Sequence, residues 1–446
     1  MMNAIKSVLK RILPNSWVSV YHKQLAKFAA WRHQYPSEKL IIIGVTGTKG
    51  KSTTCNILWH ILTQAGYKVG MATTANFRIG EKHWLNTSKM TMLGRTQLQE
   101  LLAQMVSAGC QYAIVETSSE GIKQWRHLGV HYDVVAWTNL FPEHLDAHGG
   151  FENYKAAKLS LFDHLVESPT KIINGQTISK AAVLNGDSSY YPEFAEHAAT
   201  PVKIVWSRQH NQRAHVQVEN IIERSDGLDF GIGEYHFTSQ LLGEWSLDNI
   251  LTAFGVGLTQ GLSYPELAQA LQSFKGAPGR MESIIEGQPF NVIVDYAYEP
   301  VSLGLLYSFW RKLKPNNKLI TLISSTGGGR DVARRFENGK VAGQLCDNVI
   351  VTDEDPYDDD PQVIIDQVAA GVAATGKQEN INFWKILDRR TAITTAFRIA
   401  QPGDVVFLTC KGADQKICRA KGKKESWDDR TVAKEVLHEL LRKTWG

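Results

Sequence analysis

From residue 39 onward, short uninterrupted apolar runs alternate along the chain with longer stretches of helical periodicity. KLIIIGV (39–45) is apolar without a break, as a strand buried on both faces of a parallel sheet requires, and the glycine-rich TGTKGKS that follows opens a long helical stretch. The runs YAIVET, DVVAWTNL and AAVLNGD read as further strands with helices between them, so the first large domain is expected to be α/β with a mostly parallel sheet. LDNILTAFGVGLTQGL reads as an apolar helix near its end. FKGAPGR, with two glycines and a proline, marks a hinge. Beyond it NVIVDYA, KLITLISS, NVIVTDED and DVVFLTC repeat the alternation, which predicts a second, Rossmann-like α/β domain. The expected organisation is a helical segment over 1–38, a central domain over 39–277 and a C-terminal domain over 278–446.

The first 38 residues follow a different pattern. Ile5, Val8, Leu9 and Ile12 stand at helical spacing with Lys6, Lys10 and Arg11 between them, and Pro14 ends the run. A second helical stretch carries Tyr21, Leu25, Phe28 and Trp31. Packing of both helices on the following domain is the plain expectation; a basic amphipathic anchor at a membrane surface is the alternative. Charge bears on this choice. Residues 1–40 hold seven Lys and Arg against the single acid Glu38, a local net charge of +6 in a chain whose total is +4. A basic arm on a nearly neutral body argues against a nucleic-acid groove and leaves peripheral contact with an anionic membrane open for the arm alone. The five cysteines are scattered without a CxxC pair, which argues against a zinc or redox centre and for a reducing compartment. No apolar run approaches the roughly 20 residues that span a bilayer, and the N-terminus lacks the unbroken apolar stretch of a signal peptide, so a cytoplasmic location is expected.

The strongest local signal is GVTGTKGKST, residues 44–53. A glycine-rich turn between a buried strand and a helix aims successive backbone N–H groups at a phosphate, and the helix N-terminus adds positive potential. Gly47, Thr48, Lys49, Gly50 and Thr53 would cradle the phosphates, Lys51 would reach the β- and γ-phosphates, and the Ser52 hydroxyl would sit on Mg²⁺. The strict GxxxxGK[ST] spacing fails, because its first glycine falls on Val45. What fits is TGTxGK[ST]. Further on, Glu116 ends the run YAIV and His144 follows DVVAW, so a carboxylate and an imidazole come to the carboxyl ends of parallel strands, facing the phosphate loop. Both are ordinary ligands for a divalent cation that neutralises a nucleotide.

With TGTKGKS, ETSSEG, TNLFPEHLDAHG and YKAAK in view, the chain resembles the Mur ligases, and within them the MurE type, from residue 39 to the C-terminus. The resemblance implies a P-loop central domain, ATP as cofactor, Mg²⁺ held by Glu116 and His144, and a carbamylated Lys158 steadying a second metal. A carbamate inverts the charge of a lysine that would otherwise repel two cations. One departure stands beside the site: Glu120 replaces the histidine of the family's SSHG. Thr91, Ser118 and Arg126 align with residues that hold the acceptor peptide, Thr91 loosely.

The resemblance continues past the hinge. GEWSLDN keeps Asn249 of the family's GxxNxxN, with Ser246 for the first asparagine; GRME at 279–282 is intact, and Arg280 would meet the γ-phosphate. DYAYEPVSL resembles DYAHTPDAL, so Asp295 would contact the ribose and Tyr298 would offer a flat face to the nucleotide. GGGRD leaves Arg330 to grip the incoming amino acid's carboxylate. The family's DNPR, which marks diaminopimelate enzymes, is EDPY here, and GKGHE is CKGAD. Asp355, Tyr357 and Asp414 therefore stand in the substrate region, and the acidic turn Asp353–Asp360 reads either as a solvated loop or as a pocket for the amine of a basic amino acid. Only 38 residues precede the first strand, which leaves no room for the family's UDP-holding first domain and suggests an acceptor held more weakly or carried by a lipid. The function implied is an ATP-dependent, ADP-forming amide ligase that adds an amino acid to a muramoyl-peptide acceptor through an acyl phosphate. A folylpolyglutamate-synthase-like ligase with another acceptor, and a catalytically weakened nucleotide-binding scaffold, are the alternatives.

Overall fold

The computed structural model describes residues 15–142, 148–224, 226–329 and 332–445. The helix expected over residues 5–12, His144 and Arg330 lie outside the described residues. The chain divides into two compact units, Met1–Lys275 and Gly276–Gly446.

In the first unit, strand β1 (Ile41–Thr46) lies between β5 (Tyr112–Glu116) and β6 (Val134–Trp137), parallel to both. Outward from β5 come β2 (Val69–Ala72) and the antiparallel edge hairpin β3 (Asn76–Ile79) and β4 (Lys82–Leu85). The hairpin of β7 (Lys171–Ile173) and β8 (Gln176–Ile178) stands outside this sheet, and outward from β6 come β9 (Ala181–Asn185), β10 (Val202–Ser207) and β11 (Val216–Gln217), all parallel. The unbroken apolar run of β1 has a direct cause. Ile43 and Val45 pack with Ile57 and Leu58 of helix α2 (Lys51–Gln64), while Ile42 packs on the other face with Leu98 and Leu102 of α3 (Arg95–Ser107). Both faces are covered, and burying each such side chain contributes about 1.5–3 kcal/mol. The chain passes from β1 to β2, returns to insert β5 between them, and then crosses to β6, so a topological switch point opens at the carboxyl end of β1. A three-stranded antiparallel sheet, Glu219–Arg224, Gly227–Ile232 and Tyr235–Ser239, completes the unit and has no counterpart in the expectations from sequence.

Helix α1 (Asn15–Arg32) packs on this unit by a face other than the expected one. Tyr21, Phe28 and Trp31 point to solvent, being 60%, 53% and 61% exposed, whereas Ala26, Ala29 and Ala30 are buried. Gly129 explains the choice: a Cβ there would come within 2.9 Å of the Ala26 carbonyl oxygen and 3.1 Å of the Ala30 Cβ. The backbones approach so closely that only small residues fit between them. Trp125 donates from Nε1 to Ser19 Oγ at 2.9 Å, and Lys23 lies 4.0 Å above the Trp125 ring, which pins the helix.

The second unit is built on a six-stranded sheet in the order Glu282–Ser283, Asn291–Val294, Val405–Leu408, Leu319–Ile323, Asn348–Val351, Phe383–Lys385, with only the first strand antiparallel. The four apolar runs read from the sequence are its central strands, and both units are α/β. Between the Arg389–Ile399 and Asp429–Trp445 helices sits a buried pair in which Arg389 donates from Nε and Nη2 to Asp429 at 2.8 and 2.6 Å. Burial alone would lower the Arg389 pKa, but the Asp429 carboxylate more than reverses that, so the guanidinium stays charged.

Candidate functional site

The glycine loop leaves the carboxyl end of β1 with a left-handed backbone at Gly50, whose φ is +80°. A side chain is excluded there twice over, since a Cβ at Gly50 would meet Asn249 Oδ1 at 1.8 Å. Asn249 is thus brought against the loop from the helix Ser246–Thr259, and its Oδ1 also accepts from Thr54 Oγ1 at 3.4 Å. A network then fixes the loop. Thr48 N–H donates to the Asn139 carbonyl at 3.0 Å, Lys49 N–H to Asn139 Oδ1 at 2.8 Å, and Thr138 Oγ1 donates to the Lys49 carbonyl at 2.7 Å. The Thr48 hydroxyl pairs with Tyr154 Oη at 2.9 Å.

Two ammonium groups converge at the base of this loop. Lys51 Nζ donates to the carbonyls of Gly47 at 3.0 Å and Thr48 at 2.8 Å, and Lys158 Nζ donates to the same Gly47 carbonyl at 2.7 Å. Lys158 is 1% exposed and lies 4.6 Å over the Tyr154 ring. Beside them Ser52 and Thr53 follow Lys51 in the first turn of α2, and the Ser52 hydroxyl donates to Glu116 Oε2 at 2.7 Å. Glu116 is buried and also accepts from the Thr74 N–H at 2.8 Å and the Thr74 hydroxyl at 2.9 Å. With its hydrogen given to Glu116, the Thr74 hydroxyl pairs with the Thr91 hydroxyl at 3.0 Å, so one chain of bonds joins Ser52, Glu116, Thr74 and Thr91. Burial, and then the nearby Glu116 carboxylate, push the Cys55 thiol well above its usual pKa, which rules it out as a nucleophile here.

Among the described residues no group of three His, Cys, Asp or Glu side chains is arranged to hold a metal ion. One buried carboxylate and one hydroxyl 2.7 Å apart remain. That set fits Mg²⁺, which takes oxygen ligands, keeps several waters and is commonly bound through one or two carboxylates plus substrate phosphates.

Farther along the same crevice Ser118 caps the short helix Ser119–Lys123, accepting from the Gly121 N–H at 3.2 Å. Arg126 donates to Gln124 Oε1 at 2.8 Å and to the Met92 carbonyl, next in sequence to Thr91. Burial lowers the Arg126 pKa and Glu120 pulls it back, so the anionic Glu120 supports the guanidinium.

In the second unit the GRME turn packs directly on the CKGAD turn, since a Cβ at Gly279 would meet the Ala413 nitrogen at 2.1 Å. Arg280 lies over the Tyr296 ring at 4.3 Å, and Arg334 over the Tyr298 ring at 5.0 Å. Asp295 accepts from the Met281 and Ala297 N–H groups, both at 2.7 Å, holding the turn that carries Arg280.

The acidic turn is tied down by internal hydrogen bonds. Asp355 is buried and its Oδ1 accepts from Lys411 Nζ at 3.2 Å and from the Cys418 N–H at 2.7 Å. Asp358 accepts from the Lys421 N–H at 2.7 Å, Asp359 from Arg335 Nη2 at 2.8 Å, and Asp360 caps the helix Pro361–Ala373 through the Gln362 N–H. Arg335 holds the Asp359 carboxyl below its usual pKa. Each of these acids has a partner within the second unit. Asp414 stands 3.5 Å from Lys411, and Tyr357, at φ +52°, lays its ring along Gly328.

Thr74, Thr138, Asn139 and Tyr154 were not singled out from the sequence. Asn139 and Tyr154 lie inside TNL and YKAAK, so those motifs carried the signal without the role. Thr74 had none.

Residues 45–257 match the Mur ligase middle domain and residues 279–412 the Mur ligase glutamate ligase domain. The chain is 35% identical to a UDP-N-acetylmuramyl-tripeptide synthetase of Roseiflexus sp., across 96% of this chain and 83% of that protein. It is 34% identical to a UDP-N-acetylmuramoyl-L-alanyl-D-glutamate--2,6-diaminopimelate ligase of Thermosynechococcus vestitus, across 93% and 80%. Among solved structures a UDP-N-acetylmuramoyl-L-alanyl-D-glutamate--2,6-diaminopimelate ligase aligns with a TM-score of 0.62 at 25% identity, over 94% of this chain and 83% of that one. FolC of E. coli, solved with ADP, shares the fold with a TM-score of 0.65 at 16% identity, over 95% and 94%.

Proposed function

The chain belongs to the Mur ligase family of ATP-dependent amide ligases, and we propose that this member joins an amino acid to a muramoyl-peptide acceptor in peptidoglycan precursor synthesis. The observation that carries this reading is the convergence of Lys51 and Lys158 on the Gly47 carbonyl, at the mouth of a glycine loop flanked by Ser52 and Glu116. Lys51 and the backbone N–H groups of the loop together suit a polyphosphate. In the reaction a carboxylate oxygen of the acceptor attacks the γ-phosphorus of ATP, ADP leaves, and the amine of the incoming amino acid attacks the acyl phosphate, expelling phosphate as the amide forms. Lys51 and the loop N–H groups hold the phosphates in line, while Thr91, Ser118 and Arg126 orient the acceptor. In the second unit Arg280, Asp295 and Tyr298 are assigned to the nucleotide, and Arg330, Tyr357 and Asp414 to the amino acid.

Ser52 and Glu116, with His144, would hold Mg²⁺, which supplies charge neutralisation on the phosphate oxygens. Lys158 fits the family's carbamylated lysine: a carbamate there would remove a positive charge from beside Lys51 and add an oxygen ligand. Labelled bicarbonate should give a carbamate carbon resonance in the wild type that Lys158→Ala lacks, together with a loss of ligation at least about a hundredfold. A fully active Lys158→Ala enzyme contradicts the assignment.

A cytoplasmic location and peripheral membrane contact through the N-terminal segment belong to the same reading, supported by its +6 charge. Among the described residues no helix is long and apolar enough to cross a membrane. The test of the reading is ADP release from MgATP against a panel of muramoyl peptides and amino acids. Turnover should need both co-substrates, and turnover with a folate acceptor instead would favour the folylpolyglutamate reading.

A further inference from the structure

The helix α1 places its large apolar side chains on the wrong side for a core. Trp17, Val20, Tyr21, Phe28 and Trp31 are 69%, 57%, 60%, 53% and 61% exposed, while the opposite face, Ala26, Ala29 and Ala30, is buried. At 3.6 residues per turn the exposed set, with Lys27 and Arg32, falls in one sector of about 140°. The sector is continuous, and scattered surface apolar residues do not arrange themselves so. The helix is fixed in this orientation by the close approach at Gly129 and by the Trp125–Ser19 hydrogen bond, so it cannot roll to bury the aromatic face without losing both.

We propose that this face docks on an anionic phospholipid bilayer. Its composition selects that occupant. Trp and Tyr are the side chains that favour the headgroup level, where an apolar ring and a polar edge are both accommodated. Lys27 and Arg32 share the face and are exposed, and the first acid in the chain is Glu38, past the end of the helix. An aromatic face with cations and no acids matches a surface helix that enters the acyl boundary and is drawn to anionic lipid. The same face of a second copy would offer Lys27 and Arg32 no acid to pair with. This names the surface for the membrane contact proposed above, and it stands apart from the ligase reading because vesicle binding is measured without turnover.

The full chain is sedimented with extruded phosphatidylcholine vesicles, with and without about a third phosphatidylglycerol. Binding is expected to the anionic vesicles, weakened by salt, and not to phosphatidylcholine alone. The triple variant Trp17→Ser, Phe28→Ser, Trp31→Ser and the pair Lys27→Glu, Arg32→Glu should each weaken binding at least tenfold, with far-ultraviolet circular dichroism and ADP release on soluble substrates unchanged. A wild type that stays in solution with anionic vesicles overturns the proposal. So does a triple variant that binds like the wild type, which would assign binding to another part of the chain. A wild-type dimer in sedimentation velocity that the triple variant dissolves would give the face to a second copy and overturn it equally.

Discussion

At the phosphate loop Lys51 and Lys158 bring two ammonium groups to the single carbonyl of Gly47, whereas in the turn from Asp353 to Asp360 the carboxylates are matched to partners one by one. With bonds of 3.0 and 2.7 Å to one oxygen, the two ammonium nitrogens stand no more than about 6 Å apart. At an effective dielectric constant near 20 the direct repulsion between two such charges is about 3 kcal/mol, which a bound polyphosphate or a carbamate on Lys158 would lower. In the acidic turn Lys411 answers Asp355, Arg335 answers Asp359, and backbone N–H groups answer Asp358 and Asp360. Charge density alone does not distinguish a binding site from a scaffold. Like charges brought together point to a ligand, and charges matched within the fold point to stability.

This contrast can be broken by exchanging the readouts. The largest effect is expected on the scaffold side: Lys411→Met leaves the buried Asp355 carboxylate without its cation and should cost about 3–5 kcal/mol in urea unfolding of the full chain. Unchanged stability would show that the turn is not held as described. On the ligand side Lys51→Met should lower kcat of ADP release about a hundred- to thousandfold, equivalent to about 2.7–4 kcal/mol, with the unfolding midpoint equal to or above that of the wild type. A variant that loses stability and activity in parallel would place Lys51 with the scaffold. The smallest effect belongs to Asp360→Ala, which removes a helix cap and should cost about 1 kcal/mol of stability while leaving the ranking of amino acid substrates unchanged. An altered ranking would return that carboxylate to the substrate pocket.

Legibility in the sequence followed the same division. The parallel strands were readable because burial on two faces demands unbroken apolar runs such as Ile41–Val45. The edge hairpin Asn76–Leu85 and the three-stranded sheet after Glu219 were not, since their half-exposed positions carry polar residues that blur the pattern. Around the loop, glycine, lysine and hydroxyl occur in an order that local backbone chemistry dictates, so Gly47–Ser52 announced themselves. Thr74 did not, because a single threonine that donates to Glu116 has no spacing to betray it. The partners of the acidic turn were not legible because they are distant in sequence: Lys411 lies 56 residues from Asp355, and the Cys418 amide 63. Helix α1 was read by its aromatic periodicity, but periodicity does not say which face meets the domain. Three alanines and a distant glycine decide it.

Lys51 and the glycine loop are assigned to the triphosphate. Thermal unfolding of the wild type and of Lys51→Met, each with and without saturating MgATP, tests it most directly. A ligand that binds only the folded state raises the midpoint through mass action, by about 2.7 kcal/mol of stability at a hundredfold excess over Kd. A clear upward shift is expected for the wild type and little or none for Lys51→Met, which starts from a midpoint no lower than the wild type. An equal shift in both proteins would contradict it.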